Sequence, residues 1–130
     1  MQGALFVALL SAPATELANG RWELDPQETE EPGRFTCSDT PLMISTKERR
    51  YLYQQGESRG EAEILAAEDN YIAIRYLDED RLDDQGNPVV WVMVYPDDDH
   101  FYWQRLDWLQ QGQGGRTNLR RRCPDPELLG

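Results

Sequence analysis

VVWVMVY (Val89–Tyr95) is the most strand-like stretch of the chain. Its β-branched and aromatic residues favour extended backbone. Alternation sets Trp91, Met93 and Tyr95 on one face and Val90, Val92 and Val94 on the other. A strand that is apolar on both faces is covered on both, or lines a barrel while its outside meets a packed element. FYWQRLDW (Phe101–Trp108) follows after the turn residues Pro96-Asp97-Asp98-Asp99-His100. The two runs are expected to pair as a hairpin through a loop of about five residues.

The same reading extends in both directions. YIAIRYL (Tyr71–Leu77) is a further aromatic and β-branched run. Arg34–Ser38, Leu42–Thr46 and Tyr51–Tyr53 read as short strands, the last ending near Gly56. GEAEILAA (Gly60–Ala67) has helix-favouring composition but sits between turn signals at strand spacing, and is read as strand. Pro26–Gly33 reads as an exposed loop, Gln110–Gly115 as a flexible one, Thr117–Cys123 as a last strand and Pro124 onward as a tail. Turns recurring about every 8 to 12 residues leave no room for crossover helices. The fold expected is all-β: a small antiparallel up-and-down barrel, or barrel-like meander, of about eight short strands.

The chain has 130 residues, 24 acidic against 13 basic, for a net charge of -11. Clustered Lys and Arg are what phosphate backbones and anionic lipid require, so nucleic acid is not an expected partner. ALFVALL (Ala4–Leu10) followed by Ser11-Ala12-Pro13-Ala14 has the form of a secretory signal with an A-x-A cleavage site. Residues 1–14 are read as that signal and 15–130 as one domain; the rival reading is an N-terminal helix packed on the domain. The apolar run is too short to span a bilayer. Export, to a periplasm or beyond, makes a Cys37–Cys123 disulfide the expected state of the only two cysteines.

Gly20-Arg21-Trp22 opens the first mature strand, and Leu119-Arg120-Arg121-Arg122-Cys123 closes the last. A Gly-x-Trp there, with an arginine on the final strand, resembles the lipocalin and wider calycin barrels. The resemblance implies that Trp22 plugs a closed barrel end and that an arginine packs across its ring. If Leu119 and Cys123 point inward, alternation selects Arg121 as that arginine. Trp22-Glu23-Leu24 followed by Cys37 also resembles small periplasmic inhibitors of proteases or lysozyme.

Chemistry-bearing motifs are few. His100 is the single histidine, and no nucleophile elbow, phosphate loop or metal-binding histidine pair appears. The acidic turns Asp78-Glu79-Asp80, Asp83-Asp84 and Asp97–His100 lack the spacing of a calcium loop and read as solvated hairpin tips. No cofactor, metal or catalytic residue is expected. Trp91, Tyr102, Trp103 and Arg105 are the candidate ligand-binding residues, because flat amphipathic rings suit apolar ligands or partners. Arg105 and Asp107 are candidates for an inward ion pair. The expected function is a non-enzymatic exported binding module of the bacterial envelope, taking a small apolar ligand or a protein. The alternatives are an inhibitor of a periplasmic hydrolase, acting through Pro26–Gly33 or Gln110–Gly115, and a structural subunit of an envelope assembly.

Overall fold

A computed structural model describes residues 13–25, 37–112 and 114–124. The chain starts there with a one-turn helix, α1 (Ala14–Leu17). The strands are β1 (Gly20–Leu24), β2 (Leu42–Lys47), β3 (Arg50–Gln55), β4 (Ser58–Ala67), β5 (Tyr71–Tyr76), β6 (Trp91–Asp97), β7 (His100–Arg105) and β8 (Arg120–Arg122). A short helix, α2 (Leu106–Gln110), follows β7. The strands form a closed up-and-down barrel in sequence order, all antiparallel, with β8 returning to β1. The expected fold class is therefore observed, Gly60–Ala67 included.

Period-two alternation fills the interior. Trp22, Tyr51, Ile72, Ile74, Met93 and Phe101 are fully buried, and small barrels close by such filling. On β6, Met93 and Tyr95 point in, while Val92 is buried on the outer face beside its cross-strand neighbour Ala73. Both faces of that strand are thus covered at its centre, as its composition requires.

Three expectations change in detail. The β6–β7 hairpin is tighter than a five-residue loop: Asp97 pairs with His100, and a bulge between Val94 and Asp97 absorbs Pro96. Leu106–Trp108 is helix rather than the end of a strand. Thr117–Leu119 precede the last strand, which is only Arg120–Arg122. The expected loop Pro26–Gly33, most of the expected strand Arg34–Ser38, residues 1–12 of the expected signal and the tail after Pro124 lie outside the described residues; Cys37 and Ser38 are not in a strand.

One barrel end is closed by a defined set of contacts. Trp22 Nε1 donates to Ala18 O at 2.9 Å, and its ring meets Phe101 and Tyr95 edge-on at 4.8 and 5.9 Å. α1 lies over this end, with Ala14 and Ala18 fully buried. Ala14, the last residue of the expected signal, is thus part of the core and donates its N–H to Glu68 O. The guanidinium over the Trp22 ring, 4.4 Å from its centroid, is that of Arg122. This corrects the choice of Arg121. Register sets Arg122 directly across from Trp22, while Arg121 lies opposite Glu23 on the other face. The inward phase had been anchored on Cys123, which lies one residue beyond the strand.

Arg122 also donates to Leu17 O at 2.6 Å, to Asn19 O at 2.9 Å and to Asp98 O at 2.9 Å. It thereby ties α1 to the β6–β7 tip. Gly20 has φ +139°, and a Cβ there would sit 3.0 Å from Arg122 Nη1. The glycine of Gly-x-Trp is required on both counts. Cys123 is bonded to Cys37 across 86 positions, with Cα atoms 6.0 Å apart.

Two outcomes follow. Gly20→Ala is expected to destabilise by about 1–3 kcal/mol, read as a lower urea midpoint. Replacing Cys37 and Cys123 together by Ser is expected to cost about 4–5 kcal/mol on chain-entropy grounds; an unchanged melting temperature would contradict that.

Candidate functional site

Aromatic side chains pack the closed half solidly, so space remains at the other end. There a cavity of about 510 Å³ opens, lined by Leu42, Tyr51, Tyr53, Tyr76, Trp103 and Arg120, with Asp78–Arg81 at its rim. Each wall has a local cause. Tyr51 and Tyr53 are alternate inward residues of β3, and Trp103 is two residues beyond the inward Phe101 on β7. Tyr53 can lean into the barrel because its cross-strand partner is Gly60, where a Cβ would come within 2.7 Å of the ring. The rings touch one another: Tyr53–Tyr76 at 5.6 Å, Tyr51–Trp103 at 6.3 Å and Tyr76–Trp103 at 6.4 Å.

The base of the cavity is polar and unsatisfied. Tyr51 Oη and Arg120 Nη1 are buried without a hydrogen-bond partner. Arg120 points inward because it lies opposite Phe101. Desolvation lowers the Arg120 guanidinium from its ordinary value, with Glu23 acting in the opposite sense. Burial raises the Tyr51 and Tyr76 phenols well above their ordinary range. Both hydroxyls therefore stay protonated at any physiological pH.

The rim is organised by Glu79, whose side chain is only 3% exposed. It accepts from Arg81 Nε at 2.9 Å and from Trp91 Nε1 at 2.9 Å. Arg81 in turn lies over the Trp91 ring. Burial works against the Glu79 charge, but these hydrogen bonds outweigh it and hold the carboxyl below its ordinary 4.5.

The sequence-selected residues divide. Trp103 lines the cavity. Trp91 packs against the core but gives its N–H to Glu79, so it supports the rim. Tyr102 is on the outer face with Arg116 over its ring. Arg105 pairs with Asp107 at 2.7 Å, but Asp107 lies on α2 and not on the β7 face, and neither lines the cavity; Arg105 also lies over Trp108. Tyr51, Tyr53, Tyr76 and Arg120 were not singled out. Tyr51 and Tyr53, two apart on a strand, were the signal available for part of that wall.

The other acidic turns are engaged locally. Asp83 accepts from the N–H groups of Gln85 and Asn87. Asp97 meets His100 Nδ1 at 2.8 Å; that bond keeps its carboxyl below the ordinary value despite partial burial. His100 Nε2 lies 3.1 Å from Asp25. A second groove, about 640 Å³, crosses the outer face of β1–β4 past Arg21, Met43, Leu52, Gln54, Arg59 and Glu61. Among the described residues, no buried unpartnered polar atom lines it.

No family model matches the chain, and comparison with curated proteins and with solved structures finds no significant match. Among the described residues no helix is long and apolar enough to cross a membrane.

The lowered carboxyls fix an acid limb. A group depressed in the fold contributes stability above its unfolded pKa and loses it as pH falls through the folded one. Melting temperature is therefore expected to hold above about pH 4.5 and fall below it, where Glu79 begins to protonate. Glu79→Gln should flatten that fall and cost about 1–2 kcal/mol at pH 7.

Proposed function

We propose that this chain is an exported, non-enzymatic carrier that holds a small aromatic molecule bearing polar groups in the open end of its barrel. The observation that carries the reading is the pairing of a ring-lined cavity of about 510 Å³ with two buried polar groups that have no partner at its base. Cavities of a few hundred Å³ with a few convergent polar groups are where small molecules bind; this one exposes more polar than apolar surface, so its occupant needs polar groups as well as a ring. Buried polar groups in a finished fold are otherwise almost always satisfied.

The calycin-like reading is supported by the closed eight-strand barrel, by Gly20-x-Trp22 on β1 and by the β8 arginine over the indole. The Cys37–Cys123 bond supports an oxidising compartment, hence export. Of the two loops the inhibitor reading names, Pro26–Gly33 lies outside the described residues, and in Gln110–Gly115 a Cβ on Gly114 would lie 2.8 Å from the Trp108 ring. The assembly-subunit reading has the outer groove beside Met43 and Leu52, both of them exposed.

The test is calorimetric titration with N-phenyl-1-naphthylamine, a neutral aromatic probe. Saturable one-to-one binding is expected, weakened about tenfold or more by Trp103→Ala. Absence of saturable binding, or binding indifferent to Trp103, would overturn the carrier reading.

A further inference from the structure

We propose that the open-end cavity takes a small aromatic monocarboxylate, bound acid end inward, with the carboxylate between Arg120 Nη1 and Tyr51 Oη. This rests on the carrier reading above and adds the class of ligand.

The argument starts from the two unpartnered groups. A guanidinium can only donate, so whatever satisfies Arg120 Nη1 must accept. Tyr51 is fully buried and its hydroxyl is free to donate to the same acceptor. Both residues line the same cavity, so one acceptor with two oxygens is the simplest group that serves both. A buried cation with no hydrogen-bonded anion is costly to leave so. Glu23 does not meet that need at short range: its carboxylate accepts from Ser38 N at 3.0 Å and Ser38 Oγ at 2.6 Å, outside the barrel. A planar carboxylate matches the guanidinium fork in shape and charge.

The walls set the body of the ligand. Tyr53, Tyr76 and Trp103 are edge-on or tilted to one another and all line the cavity, so a flat ring can meet them with the offset or edge-on geometry aromatic pairs prefer. The rim sets its outer end. Asp78 and Asp80 stand there, and the cations near them are already paired, Arg81 with Glu79 and Arg105 with Asp107. A second anionic group reaching the rim would meet like charge. The outer end is therefore neutral or cationic, which also disfavours dianionic head groups such as phosphate monoesters.

The experiment compares naphthalene-2-acetate, its neutral amide and naphthalene-2,6-dicarboxylate by calorimetry on the full chain. The monoacid is expected to bind at least tenfold more tightly than the amide and than the diacid. Arg120→Met should abolish the acid-over-amide preference, Arg120→Lys should retain part of it, and Tyr51→Phe, which removes one oxygen, should reduce it several-fold. If Arg120→Met does not fold, as judged by circular dichroism, the wild-type ratio and Tyr51→Phe decide. Equal binding of acid and amide overturns the inward-acid inference while leaving the carrier reading intact. So does failure of both when N-phenyl-1-naphthylamine binds. Failure of all probes overturns both.

Discussion

The guanidinium of Arg122 over the Trp22 indole is the contact on which the rest of the barrel depends. A cation at a barrel end is tolerable only where other groups replace its water. Here the indole face covers one side and the carbonyls of Leu17, Asn19 and Asp98 take the donors. A cation–π contact of this kind contributes about 0.5–2 kcal/mol, but its larger effect is geometric. It holds the helix before β1, the tip between β6 and β7, and the last strand in one place. Those elements are far apart in sequence, and only a closed sheet brings them together.

The end so tied is filled by Trp22, Tyr95 and Phe101, whose centroids lie within 4.8 to 5.9 Å of one another. Three large rings in mutual contact fill that layer. A barrel of fixed strand number has one interior, so the unfilled volume appears at the opposite end. β8 displays the contrast within three residues. Arg122 and Arg120 both point inward, two apart on the same strand. The first is held by three carbonyls and an indole; the second reaches a cavity with Nη1 unpaired. Of these identical side chains, one ties the fold together and the other faces the cavity; Tyr95 Oη, also buried without a partner, lies among the packed rings.

Much of the fold was legible, because it rests on alternation and turn chemistry. VVWVMVY could only be a buried strand, and the short gaps between runs allowed only antiparallel neighbours. GEAEILAA, whose composition favours helix, became a strand because pairing with both β3 and β5 outweighs a propensity of a few tenths of a kcal/mol per residue. Other points were not legible. FYWQRLDW fits two periods over a short window; the helical turn at Leu106–Trp108 carries local contacts, the Arg105–Asp107 pair and Arg105 over Trp108, and one long-range bond, Leu106 N–H to Val90 O, that no residue pattern displays. The phase of Arg120-Arg121-Arg122 could not be read from three identical residues. It needed a register, and the nearest marker, Cys123, follows the strand instead of continuing it. The cavity was half visible for the same reason. Trp103 stood out by its size, whereas Tyr51 and Arg120 matter through what they lack.

The disulfide belongs to the same logic. β8 pairs with β7 at only two positions, His100 with Arg121 and Phe101 with Arg120. So short a ladder is a weak determinant of register, and a slip of one residue would turn both inward arginines outward. Cys123 follows Arg122 directly, donates its N–H to Arg21 O at 2.7 Å, and is bonded to Cys37. A covalent tie and one more backbone bond at the end of a three-residue strand fix the phase that the ladder alone specifies poorly. The bond therefore constrains more than the unfolded chain. Together with the three-position ladder to β1, it keeps Arg122 on the indole and Arg120 facing the cavity.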